Sequence, residues 1–249
     1  MPASLPILMF HTIDDERSVI SFPPSVFRRA IARLHNCGYR TLNLLEVDEY
    51  LRRKLEFPSH TLVVTFDDGY ETVYQEAFPV LQHYGMSATV FLTVGNHRRH
   101  NGRLVPLAGR SMLSWSEVRE MWREGIRFGA HTLTHPDLTQ LPLERAELEI
   151  CESKKSIQDA LSAPVETFAY PFGRYDERCR DIVSQHFLLG CSDELSMITA
   201  ESDRFALERV DASYFRRDRL FDIILTPLFP WYVRVRGIPR RLRADVPSS

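Results

Sequence analysis

The 249-residue chain is 44% hydrophobic, 26% charged and 11% aromatic, an ordinary globular profile that excludes disorder, collagen and coiled coil. Lys and Arg number 31 against 33 Asp and Glu, so the formal charge of -2 gives no basic field for nucleic acid and no acidic tail. Four cysteines (Cys37, Cys151, Cys179, Cys191) form no C-x-x-C pair, which predicts buried thiols rather than a zinc ribbon or a disulfide framework. The opening MPASLPILMF has no basic segment and too short an apolar run for a signal peptide or a membrane span, so the chain reads as cytoplasmic.

In chain order, the apolar run at residues 5–10 predicts a buried strand. Residues 25–36 predict a helix with Phe27, Ile31 and Leu34 on one face and a stop at Gly38. A short strand near Thr41, a helix over 45–53 and a buried strand over 61–66 follow. Next come a helix over 71–84 ending at Gly85, a strand at 88–93, and a helix over 116–123 opened by the capping box Ser114-x-x-Glu117 and closed at Gly125. Strand 126–130, helix 143–161, strand 167–170, helix 176–185 and strand 187–191 continue the rhythm. There is no internal repeat or low-complexity linker, and such alternation implies a mostly parallel α/β sheet, doubly wound or closed as a (β/α) barrel. A barrel places its chemistry on loops at the carboxyl ends of its strands. His11, Asp67 with Asp68, His131 with His135, and Pro171-Phe172-Gly173 each follow a predicted strand, so four strands deliver polar groups to one rim.

Thr65-Phe66-Asp67-Asp68-Gly69 sets adjacent carboxylates at a strand end, where their repulsion calls for a cation or a proton. One Asp can bind a metal while the other serves as base; the alternative is a plain Asp-Asp-Gly turn capping the next helix. His131-Thr132-Leu133-Thr134-His135 spaces two imidazoles four residues apart, convergent on one ion if the loop coils as a helical turn. An Asp-His-His set with open positions for water is the pattern of a hydrolytic divalent-metal site. Phe168-Ala169-Tyr170-Pro171-Phe172-Gly173-Arg174-Tyr175 reads as a strand and a rigid aromatic turn whose main-chain N–H groups suit an oxyanion. The basic loop 96–110, with Arg98, Arg99, Arg103 and Arg110, reads as solvated, with substrate contact as its alternative. The tail over 220–243 mixes Trp231 and Tyr232 with Arg234, Arg236, Arg240, Arg241 and Arg243. It reads as a terminal helix packed on the barrel, with peripheral membrane contact as its alternative.

The series T-F-D-D-G, H-T-x-x-H and A-Y-P-F-G resembles the NodB-like polysaccharide deacetylases of carbohydrate esterase family 4. The front of the chain, with Pro6-Ile7-Leu8-Met9-Phe10-His11, Phe22-Pro23-Pro24-Ser25-x-Phe27, Gly38-Tyr39 and Leu42-x-Leu44, resembles the circularly permuted subgroup typified by poly-N-acetylglucosamine deacetylases. The resemblance implies a distorted (β/α) barrel of about seven parallel strands over residues 1–215, leaving 216–249 as a C-terminal helix and basic tail. It also implies a metal-dependent hydrolase of N-acetylated sugar. Asp67 would be the general base, Asp68, His131 and His135 the ligands of one divalent ion (zinc first, then cobalt, nickel or manganese), and Thr132 the support of the metal-binding loop. Phe172 N–H would donate to the oxyanion, beside Pro171 and Tyr170. Two features depart from the common family pattern: Ala169 stands where many members have Arg, and no late Leu-x-His motif supplies an acid. In the permuted subgroup an early His takes that place, here His11, and the segment 207–211 resembles a late Arg-bearing strand from which Arg209 would reach Asp67. Two other readings remain open, a deacetylase or deformylase of a lipid-linked sugar and a catalytically inactive glycan-binding module.

Overall fold

In a strand, side chains alternate between two faces, so a strand buried on both sides sends every second residue into each of two cores. The computed structural model describes residues 4–95 and 107–244, and its strands follow that rule. In chain order the elements are β1 (Ile7–Phe10), β2 (Thr12–Ile13), β3 (Ser21–Phe22), α1 (Pro24–Asn36), β4 (Arg40–Thr41), α2 (Leu44–Arg53) and β5 (Thr61–Phe66). A π-helical turn (Val73–Ala77) leads into α3 (Phe78–His83), followed by β6 (Thr89–Leu92), α4 (Trp115–Arg123), β7 (Arg127–Ala130) and α5 (Leu143–Leu161). Then come β8 (Thr167–Ala169), α6 (Glu177–His186), β9 (Leu189–Leu195), β10 (Leu207–Asp211), α7 (Asp218–Phe221) and α8 (Phe229–Ala244).

Parallel pairing runs β1-β10-β9-β8-β7-β6-β5, and β1 pairs with β5 to close a barrel of seven strands, Ile7 opposite Val63 and Phe10 opposite Phe66. The short β4 pairs with the start of β5. Leu8, Phe10, Val64, Phe66, Val90, Leu92, Phe128, Phe168 and Val210 face outward and pack under the helices. The alternate residues Ile7, Val63, Phe91, Ala169, Leu189, Cys191 and Leu207 form a second cluster inside the ring. Following the inward series in steps of two toward the carboxyl rim reaches His11, His131 and Asp193 directly after the apolar or glycine positions, Asp67 through Thr65 and Asp211 through Arg209. The closed barrel is therefore one of the two architectures that the alternation allowed, and the one that the family resemblance implied.

Helix caps match their chemistry. Glu117 N donates to Ser114 Oγ at 3.3 Å and Ser114 N to Glu117 Oε2 at 2.6 Å, closing the capping box on α4. The segment expected to be one helix over 71–84 divides, because Pro79 has no N–H for a regular helical bond and the chain widens into the π-helical turn just before it. The two-residue strands β2 and β3 carried no readable periodicity. Cys37 is exposed, contrary to the expected burial of all four thiols, since it follows the last turn of α1; Cys151 is half-buried, and Cys179 and Cys191 are buried. Phe229 and Val233 of α8 are buried in the outer core. Arg98, Arg99 and Arg103 lie outside the described residues, as do the side chains of Arg240, Arg241 and Arg243.

Gly129, on the inner face of β7, has no room for a side chain. A Cβ there would stand 2.5 Å from Phe91 Cδ1 and 2.6 Å from Thr167 Oγ1. Gly129→Ala should therefore destabilise the fold by roughly 1–3 kcal/mol through overpacking. Urea unfolding would check this, and an unchanged midpoint would mean the Phe91 ring moves aside freely.

Candidate active site

Asp67 leaves the end of β5 on the inward face, with its N–H bonded to Phe10 O of β1 at 2.9 Å. Its carboxylate is buried and held by a fork from β10: Arg209 Nη1 lies 2.7 Å from Oδ1, and Nη2 lies 2.8 Å from Oδ2. Arg209 is itself only 1% exposed, and its Nε donates to Ser192 O at 2.7 Å. That carbonyl is available because the pairing of β9 with β10 slips between Leu207 and Arg209. Burial alone would raise the Asp67 pKa; Arg209, followed by His131 and more weakly His11, outweighs it and holds the carboxyl well below the usual carboxylate range. Burial also pushes the neighbouring Cys191 thiol up to about 12, so Arg209 has no second anion there.

Asp68 turns away from Asp67 by adopting φ 71°, and Gly69 follows at φ 87°, a conformation that suits a residue without Cβ. Thr93 N donates to Asp68 O at 3.1 Å. Asp68 Oδ1 stands 3.5 Å from His131 Nε2 and 3.4 Å from His135 Nε2, yet among the described residues it has no hydrogen-bond partner although buried. His131 Nδ1 lies 2.7 Å from Ala169 O; donating there fixes the tautomer and leaves Nε2 an acceptor facing Asp68. Burial and His131 lower the His135 pKa to about 4, leaving its imidazole neutral. Ligand atoms around a tetrahedral ion with bonds of about 2.0–2.1 Å stand about 3.3 Å apart, so the two imidazole contacts with the unpartnered oxygen fit a divalent cation. Asp68, His131 and His135 are the residues that would hold it.

The two imidazoles do not converge through a helical turn. Thr132 (φ 67°) and His135 (φ 58°) each reverse the chain in the left-handed region, and His135 N donates to Thr132 Oγ1 at 3.0 Å. Below the loop lies Glu149 of α5, 1% exposed, which accepts from Leu133 N at 3.0 Å, Thr134 N at 2.9 Å and Thr134 Oγ1 at 2.9 Å. Its sequence signal was available: Glu149 falls between Ala146, Ile150 and Ile157 on the buried stripe of α5.

A cleft of about 480 Å³ joins these groups to His11, Tyr70, Phe172, Asp193 and Asp211. Phe172 is 56% exposed, sits at φ 57° and sets its ring edge-on to His135 at 4.6 Å between centroids. The bonds of that turn, Gly173 N to Tyr170 O at 2.9 Å and Arg174 N to Pro171 O at 3.1 Å, do not use Phe172 N–H. Pro171 and Tyr170 are buried and absent from the cleft lining; the Tyr170 phenol donates to Phe205 O at 2.9 Å, which points it away from the rim. Arg110 pairs with Asp14 and, at 2.7 Å, with Glu16, so it braces the 14–21 loop rather than sitting in solvent. Asp193 and Asp211 were missed as cleft residues, since nothing local in the sequence marks them.

The polysaccharide deacetylase family model matches residues 54–188, more than half of the chain. The chain belongs to the polysaccharide deacetylase family. It is 32% identical over 216 residues to YxkH of Bacillus subtilis (strain 168), covering 85% of this chain and 72% of that one. Against a poly-beta-1,6-N-acetyl-D-glucosamine N-deacetylase of Staphylococcus aureus (strain MRSA252) the identity is 25% over 213 residues, covering 82% and 71%. The deacetylase PplD of Streptococcus pyogenes, solved in complex with acetate, superposes with a TM-score of 0.77 at 25% identity, covering 85% of this chain and 93% of that one. IcaB from Ammonifex degensii shares the fold, with a TM-score of 0.73 at 22% identity, covering 88% and 97%. The family match embraces the Asp67–Asp68 and His131–His135 segments but neither His11 nor Arg209.

Glu149→Ala would leave the part-buried N–H groups of Leu133 and Thr134 and the Thr134 hydroxyl without their acceptor, at a cost of roughly 1–3 kcal/mol. Urea unfolding should register that loss, with Glu149→Gln falling between the two because its amide oxygen still accepts. Equal midpoints for all three proteins would mean that Thr132 alone holds the loop.

Proposed function

We propose that the protein is a metal-dependent hydrolase that removes N-acetyl groups from an N-acetylated sugar or polysaccharide. One observation carries the reading: the buried, unpartnered Asp68 Oδ1 faces two imidazole nitrogens beside an aspartate that an arginine keeps ionised. The acetylated substrate of the Staphylococcus aureus relative and the acetate bound to PplD support the choice of acyl group. A divalent ion on Asp68, His131 and His135, zinc before cobalt, nickel or manganese, would supply Lewis-acid polarisation of the acetyl carbonyl and lower the pKa of the attacking water.

The chain's own groups do the rest. Asp67, kept anionic by Arg209, accepts the proton of the attacking water as its oxygen bonds to the carbonyl carbon. Phe172 N–H donates to the carbonyl oxygen as negative charge gathers there. His11, across the cleft, gives its proton to the amide nitrogen as the C–N bond breaks, since an amine leaves poorly unless protonated. Thr132 holds the two-histidine loop, Pro171 and Tyr170 fix the turn that presents Phe172, and the exposed Phe172 ring suits the apolar face of a sugar. In this reading residues 1–215 are the deacetylase domain and 216–249 its C-terminal helix and basic tail. A lipid-linked acetylated sugar is the second reading, favoured by the arginine-bearing α8, which lies outside the matched region.

Acetate release from N-acetylglucosamine oligomers, with metal content measured in parallel, tests this. His131→Ala should lose most bound metal and activity together. Asp67→Asn and His11→Asn should keep the metal while turnover falls about 10²–10⁴-fold. Full turnover in Asp67→Asn would take the role of base away from Asp67, and glycan binding without any acetate release by the metal-loaded wild type would point to the inactive binding module instead.

Arg209→Gln separates positioning from chemistry. The unpaired Asp67 carboxylate would cost roughly 3–5 kcal/mol of stability, and its pKa would rise because burial is no longer offset. The acid limb of kcat/KM should move to higher pH, because activity needs Asp67 ionised. An unmoved limb with reduced stability would leave Arg209 a purely structural role.

A further inference from the structure

Helix α8 is apolar on two opposite faces. Phe229, Val233 and Gly237 face the protein, with Gly237 so close to β9 that a Cβ would stand 2.8 Å from Leu195 O. Leu228, Trp231 and Val235 are 63%, 65% and 42% exposed. At about 100° per residue these three form a stripe roughly opposite the buried face. Arg234 borders the stripe on one side, and Tyr232 and Arg236 border it on the other. Arg236 sits 5.2 Å and 5.4 Å from the ring centroids of Tyr214 and Tyr232, and among the described residues the buried Tyr232 hydroxyl has no hydrogen-bond partner.

Beside the helix, a cavity of about 540 Å³ gathers Arg216, Arg217 and Arg236, and no carboxylate is among its described lining residues. From Pro227 to Ala244 the sequence holds Arg234, Arg236, Arg240, Arg241 and Arg243 and no acidic residue, while Asp222, just before, is paired with Arg33 at 2.6 Å. An apolar stripe bordered by arginines is the pattern of a helix lying in a membrane interface. A second copy is the poorer partner, because a twofold contact would bring the same arginines together.

We propose that this face docks on an anionic phospholipid bilayer, with Leu228, Trp231 and Val235 at the acyl boundary and the arginines among the headgroup phosphates. The docking is independent of the chemistry in the cleft. It would hold the barrel beside substrates carried on lipid.

Co-sedimentation of the whole chain with vesicles tests it. Wild type should sediment with vesicles of phosphatidylcholine plus phosphatidylglycerol and far less with phosphatidylcholine alone, and salt should weaken the binding. Trp231→Ala should cut the affinity about ten-fold. Arg234→Gln should cut it about five-fold. Both positions are exposed, so unfolding temperature and acetate release from a short soluble oligomer should stay at wild-type values. Wild type remaining in the supernatant with anionic vesicles would overturn the proposal, as would variants that bind like wild type. So would a wild-type dimer in sedimentation velocity that Trp231→Ala dissociates, which would make the stripe a subunit interface.

Discussion

The site depends on a cation buried inside the barrel. Arg209 would be intolerable there by itself, and so would Asp67, since each alone would forfeit its hydration without return. Together, with the Ser192 carbonyl taking the remaining Nε proton, they form a satisfied unit that ties β10 to β5 across the lumen. Phe91 lies beneath the guanidinium, its ring centroid 5.7 Å away, so the pair rests on an apolar floor. The direction of the Asp67 carboxylate, and hence the place where a water can be deprotonated, follows from this fork.

Much of the site was legible in the sequence because the strands are short apolar runs that end on reactive residues. Thr65, Asp67 and the two histidines lie in contiguous motifs that announce both strand end and chemistry, and the β-then-α rhythm fixed the rim on which they meet. Arg209 was legible only by likeness to a late strand, because Ala169 is small and the sequence does not say which neighbour fills its side of the lumen. The answer is tertiary: the slip between β9 and β10 turns the Ser192 carbonyl toward the guanidinium.

Other parts were not legible, for different physical reasons. Spacing of four in the histidine motif suggests a helical turn, but the real convergence comes from two left-handed residues whose φ no propensity scale would assign to Thr or His. Glu149 was legible only through its place on the buried stripe of α5, which gives its burial but not the loop it holds. Asp193 and Asp211 reach the cleft only because the inward series of β9 and β10 ends there. Tyr170, read as a cleft residue from its neighbours in the motif, is diverted by the carbonyl of Phe205.

Among the described residues eight non-glycine residues have positive φ, and five of them belong to the cleft or its histidine loop: Asp68, Ala108, Thr132, His135 and Phe172. Each such conformation costs on the order of 1 kcal/mol or more and persists only because the surroundings over-determine it. The barrel therefore keeps its conformational stress where its reactive groups stand, much as a sprung clip is tense only at its jaws. Selection for thermal stability and selection for the site act in opposite directions at the same positions. Glycine at Thr132 would relax the backbone there, yet it would remove the hydroxyl that accepts from His135 N and release the restraint that aims two imidazoles at one carboxylate oxygen. Homologues freed from the chemistry should drift first at these left-handed residues, before their apolar cores change.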